Sequence, residues 1–111
     1  MSIFRHLYEH HMLLWHLAGN ERSGLDLESA EWELLFHKGD WLAGWCTQMI
    51  ANTAIRQDEI PQLVAFPRLD ENGPYAAWLA EIAVSKRHLF AYVSSLEIIR
   101  LALLREIGRQ A

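Results

Sequence analysis

The last third of this sequence carries an apolar helical stripe that is too long for the chain it belongs to. Trp78, Ile82, Leu89, Val93, Leu96, Leu103 and Ile107 follow one another at intervals built from three and four residues, the spacing that lines one face of an α-helix. Pro74 is tolerated in a first turn, and nothing interrupts the pattern strongly before Gly108. The pattern therefore predicts a helix of up to about 34 residues, roughly 50 Å at 1.5 Å per residue. A compact chain of 111 residues has a radius of gyration near ~13 Å, so such a rod overshoots its own body. Either it breaks, with Ser85-Lys86 or Ser94-Ser95 as the places, or its end packs on another copy. The stripe keeps phase through both serine sites, which favours one continuous helix. Past Ser95, Ile98, Ile99, Leu101 and Leu104 fall off the main stripe, and a helix apolar on more than one face needs more than one neighbour. The expectation is a homodimer in which the C-terminal parts of this helix cross.

The rest of the chain reads as helices too. Half of it is apolar (51%) and 22% is charged, enough for one domain with its own core and too apolar for a disordered or low-complexity chain. Six Gly and three Pro are too few for a turn-rich β-sandwich. A first helix is predicted from about Ile3 to Ala18, with Ser2 as cap and Gly19-Asn20 as stop. Ile3, Phe4, Leu7, Tyr8, Leu14, Trp15 and Ala18 form its apolar face. A second starts near Asp26, with Glu28, Glu31 and Glu33 at its positive end and Lys38 at its negative end. Gly39 is read as its stop, and Asp40 as the cap of a third helix from Trp41 to about Arg56. Pro61, Pro67, Pro74 and the Asn72-Gly73 turn signal mark residues 57–74 as a long connection, with a short helix after Pro61.

The third helix carries no charge between Asp40 and Arg56. Leu42, Trp45, Cys46, Met49 and Ile50 make a large-residue face, and Ala43, Gly44, Thr47, Ala51 and Ala54 a small-residue face that admits a second helix closely. Both faces read as covered, by this chain or by a second copy. The expected fold is all-α: a four- to five-helix bundle, one domain over residues 1–111, with this uncharged helix at the centre and a long C-terminal helix.

Ten Lys+Arg against fourteen Asp+Glu give a formal charge of −4, and no basic run occurs, which disfavours nucleic acid as a partner. The longest uncharged stretch, Trp41–Ile55, is shorter than the ~20 residues a bilayer span requires. A single cysteine and no signal-peptide pattern make the cytoplasm the expected location.

Chemistry finds little purchase. His6 and His10 stand i,i+4 and could chelate one zinc ion, but structural zinc wants four convergent ligands and catalytic zinc three plus water. His11, among Leu7, Tyr8, Leu14 and Trp15, reads as a core histidine held by one hydrogen bond and kept neutral by desolvation; a haem ligand is the sharper alternative. Cys46 sits in the apolar arc without a base beside it and reads as a small buried hydrophobe rather than a nucleophile. Glu33 and His37 read as a solvated face before a general-base pair. The second and third helices outline a helix-turn-helix, but Trp41-Leu42-Ala43-Gly44-Trp45 offers no Arg or Lys to phosphates or base edges.

The functional expectation is a non-enzymatic interaction module without a cofactor: a small accessory, inhibitor or regulatory subunit that dimerises and docks a larger protein. Leu63, Phe66, Tyr75, Ile98, Leu101 and Arg105 are its candidate contact residues. The alternatives are a small metal- or haem-binding protein using the histidines of the first helix, and a helical subunit of a nucleoprotein complex.

Overall fold

The computed structural model describes residues 3–19, 21, 33–51 and 57–110. They form helices joined by turns, with no strand among the described residues. The helices are α1 (Ile3–Gly19), α2 (Gly39–Ile50), α3 (Ile60–Val64), α4 (Ala76–Ser85) and α5 (Arg87–Gln110). A π-helical segment, Glu33–Lys38, leads into α2, and a 3₁₀ turn, Gln57–Glu59, leads into α3. The all-α bundle with a long C-terminal helix is what the periodicity implied. The proposed cap of the second helix at Asp26, the glutamates at 28 and 31, and the expected end of the third helix near Arg56 lie outside the described residues, in which α2 ends at Ile50 with Ala51 as its C-cap.

The last helix is not continuous. Lys86 leaves helical geometry (φ −141°, ψ 70°), closing α4 with its N–H on the Ile82 carbonyl at 2.8 Å while its own carbonyl accepts from Phe90 N–H at 2.9 Å. The stripe kept phase across the break, so periodicity could not reveal it. What makes the break tolerable comes from elsewhere in the chain. A fresh helix start exposes orphan N–H groups, and Glu21, just past α1, supplies their acceptor. Its Oε1 accepts from Leu89 N–H at 2.9 Å and its Oε2 meets His88 Nδ1 at 2.9 Å. The 24 residues of α5 span roughly 36 Å and fit the 41 Å long axis of the molecule, where an unbroken 50 Å rod would not.

Gly39 is not a stop. Lys38 before it is helical (φ −73°, ψ −29°), and the chain runs on into α2 with Asp40 in the first turn rather than at the cap. Its missing side chain serves packing: a Cβ there would stand 2.7 Å from the Tyr92 hydroxyl and 3.2 Å from Leu96 Cδ1. The glycine lets α2 settle directly on α5.

The spine of the bundle is α5, and α2 packs on it, on α1 and on the π-helical segment. Leu89, Tyr92, Val93, Leu96, Ile99 and Leu103 are fully buried along it, and α1, α2, α3 and α4 all pack on it. On α2 the large-residue face is buried through Leu42, Trp45 and Cys46, but Thr47 and Ala51 on the small-residue face are exposed. Among the described residues no helix covers that face at those two positions. Phe36, Tyr92 and His11 form an aromatic cluster where the π-helical segment, α5 and α1 meet, with ring centroids 6.0 Å and 5.1 Å apart.

The connection before α4 is fixed to α5 by a buried ion pair that the sequence reading did not single out. Arg100 donates from Nε and Nη2 to the two Glu97 oxygens at 2.8 and 2.7 Å, and Glu97 Oε1 also accepts from Leu69 N–H at 2.9 Å. The expected Asn72-Gly73 turn follows. Asp70 Oδ1 accepts from Asn72 N–H at 3.0 Å, and at Gly73 any Cβ would run into the Arg68 carbonyl.

Candidate functional site

Burying one face of α5 decides what its other face must be. At 100° per residue, Phe90, Ser94, Ile98, Leu101 and Arg105 fall within roughly an 80° arc opposite the buried stripe. The helix α1 covers one flank of that arc and α4 the other. Antiparallel packing of α1 follows from its ends: Glu21, past its C-terminus, reaches the start of α5, while His6 and Leu7 near its N-terminus lie by Ser95 and Ile98. Between the two flanking helices the strip stays open. Ile98 keeps 53% of its surface in water and Leu101 52%, on a helix whose inner side chains keep none.

Two clefts run along this strip and share Phe90, Ser94 and Ile98 as their common ridge. The one on the α4 side, about 460 Å³, has Ala76, Ala80 and Ala83 as its far wall, with Asp70 and Glu71 beside Glu97 at one end. The one on the α1 side, about 450 Å³, is lined by His6, Leu7 and His10. Small alanines form one wall of the α4-side cleft, and Phe90, Ser94 and the half-exposed Ile98 form its ridge.

Arg87 precedes the strip, and Arg105 and Arg109 follow it, all exposed. The two carboxylates of α5 are engaged by guanidiniums, Glu97 by Arg100 and Glu106 by Arg109 at 3.8 Å. At the cleft end the carboxylates of Asp70, Glu71 and Glu97 stand with two guanidiniums, Arg68 and Arg100. There the hydrogen bond from Arg68 Nη2 at 2.6 Å, with Asn72 N–H and the cations of Arg68 and Arg100, holds the Asp70 carboxyl below its ordinary range.

The candidate contact residues separate on this geometry. Ile98, Leu101 and Arg105 come together on the open strip. Leu63 is fully buried under α5 and Phe66 nearly so, stacked on Trp41 with centroids 6.2 Å apart and planes 6° from parallel. Both belong to the core, so as surface anchors they are corrected. Tyr75 is half-buried at the start of α4, its carbonyl accepting from Leu79 N–H. Phe90, Ser94, Asp70 and Glu71 were missed; Phe90 and Ser94 could have been found, since they share the wheel position of Ile98.

His6 and His10 are exposed in the α1-side cleft, and among the described residues no group of three or more His, Cys, Asp or Glu converges as metal ligands would. His11 is a core histidine, 1% exposed against Tyr92. Its Nδ1 has no hydrogen-bond partner among the described residues. Burial pushes its pKa below the ordinary histidine value, Asp40 opposing and His10 adding to the shift. The Cys46 thiol is fully buried and pushed up to about 12, so it stays protonated and inert. The open strip is an apolar ridge with guanidiniums at its ends. No helix among the described residues is long and apolar enough to cross a membrane. Comparison with protein-family models, curated proteins and solved structures finds no match to this chain.

Proposed function

We propose that this chain is a non-enzymatic protein–protein interaction module, an accessory, inhibitor or regulatory subunit, that docks a protein partner on the outer face of α5. The observation that carries this reading is the half-exposure of Ile98 and Leu101 between two clefts, on the helix that otherwise forms the buried spine. Covering the remaining halves of two such side chains gains about 1 kcal/mol each. Association costs at least ~4 kcal/mol in lost translational and rotational freedom. The ridge alone therefore holds nothing, and a partner must also fill the α4-side cleft and engage Arg105. A cytoplasmic setting suits the lone, buried Cys46, which has no second cysteine to pair with.

The test is affinity capture from the native host with wild-type protein and with an Ile98→Asp, Leu101→Asp double variant. A partner retained by the wild type and lost by the variant, with circular-dichroism melting unchanged, supports the reading. Equal retention by both sinks it.

A further inference from the structure

We propose that the occupant of this face is a second copy of the chain, with two α5 helices packed antiparallel about a two-fold axis that passes between Ile98 and Leu101. The proposal rests on the reading of the α5 strip as a docking surface, and it names the partner.

A two-fold interface is isologous, so one patch must complement itself. For helices packed face to face, the axis lies in the plane of contact, either along α5 or across it. An axis along α5 makes the helices parallel and sets Arg105 against the partner's Arg105 and Arg87 against the partner's Arg87, cation on cation. An axis across α5 does the opposite. With the axis midway between Ile98 and Leu101, each of these residues meets the other type across the interface. Arg105 and Ser94 lie 5.5 residues to either side, roughly 8 Å along the helix in opposite directions. The guanidinium of Arg105 therefore arrives over the partner's Ser94, a small residue that leaves room for it. Ser94 lines the same cleft as Glu71, the exposed carboxylate next to the strip; its neighbour Asp70 is already engaged by Arg68. The contact forms twice, once on each side of the axis, and the charges that exclude the parallel arrangement supply the attraction in the antiparallel one.

The flanking helices permit this approach. The crossing axis keeps each α4 on the same flank as the partner's α4 and each α1 on the same flank as the partner's α1, displaced along the helices to opposite sides of the axis. On α4 the exposed residues nearer the axis, Ala77 and Ala80, are small, and the 90% exposed Val84 lies farther from it. On α1, Ile3 and Leu13 are 59% and 61% exposed and share roughly an 80° arc with His6 and His10, so apolar surface continues onto that flank. Two helices crossing with a few flanking side chains bury less than the ~800 Å² per partner of a standard stable interface. The dimer is accordingly of micromolar rather than nanomolar strength.

Sedimentation equilibrium from 1 to about 500 μM at low and moderate salt tests this. The expected result is a rise from the 12.9 kDa chain mass towards twice that value, weakening as salt screens the ion pairs. Arg105→Glu and Glu71→Arg should each weaken dimerisation about tenfold, and the two together should restore it. Ile98→Asp with Leu101→Asp should abolish it with the helical spectrum unchanged. For register, an Ile98→Cys chain mixed with a Leu101→Cys chain should form a mixed disulfide under mild oxidation, while Arg105→Cys chains should not link to each other. A monomer throughout the concentration range, a dimer indifferent to these substitutions, or ready linkage through Arg105→Cys overturns the proposal. If the chain is monomeric but the Ile98→Asp, Leu101→Asp variant still loses a host partner in the capture experiment, the docking face stands and its occupant is a different protein.

Discussion

At the scale of single residues, His11 sets the clearest pH signature. Its folded pKa lies below the ordinary 6.5 because burial disfavours the imidazolium. The unfolded chain therefore binds the proton first, and stability is undiminished above about pH 6.5 and falls as pH drops below it. Urea denaturation at pH 7.0 and 5.5 should show that loss, and His11→Phe, which keeps a ring against Tyr92 but cannot take up the proton, should remove most of it. Cys46 gives a second test: Ellman's reagent should leave it almost unmodified in the folded protein and label it promptly in guanidinium. Both roles were legible in the sequence, because the residues a turn away on a helix already state how apolar a position is. The burial of Leu63 and Phe66 was not. They sit in a proline-bounded connection where apolar side chains look stranded, and their cover, α5 and Trp41, comes from parts of the chain that periodicity cannot place beside them.

At the scale of elements, the join between α4 and α5 depends on a carboxylate far away in sequence. Glu21 serves as a cap supplied by another helix, its charge also set at the positive end of α5. Glu21→Ala should lower stability by about 0.5–2 kcal/mol, the range for losing a cap. The hydrogen bonds from Leu89 N–H and His88 hold the Glu21 pKa below its ordinary 4.5, against the opposing effect of burial. Its contribution is therefore complete above pH 4.5 and lost as pH falls through the lower folded value, a window separate from that of His11. Fluorescence-monitored unfolding of wild type and Glu21→Ala should converge in strong acid and diverge above pH 5. Gly39 is the second case. Its helical context gains about 1 kcal/mol from alanine, but a Cβ against the Tyr92 hydroxyl overpacks the contact by about 1–3 kcal/mol. Gly39→Ala should thus lower the melting temperature despite its better propensity. A glycine between two helical patterns reads as punctuation until the tyrosine across from it is known.

At the scale of the whole molecule, the periodic pattern told the class of fold and the length of the last helix to within its one break, and it put Ile98 and Leu101 outside the core. The ion pair inside the spine escaped it. α5 carries Glu97 and Arg100 inside because the two satisfy each other and fasten Leu69 as well. Glu97→Leu should cost about 3–5 kcal/mol by leaving a buried guanidinium without its counter-charge, and adding Arg100→Leu should recover most of the loss. Denaturant titration of the single and double variants checks both.

The helix pair of α1 with α5, latched by Glu21 onto Leu89, joins segments separated by most of the chain. Assembly cannot be a local affair settled turn by turn. A fragment that stops short of Leu89 keeps the packing of α1 on α2 but lacks the larger surface that α5 gives it, so the protein should gain its full structure late, at a pace set by distant contacts rather than that of a simple hairpin of helices.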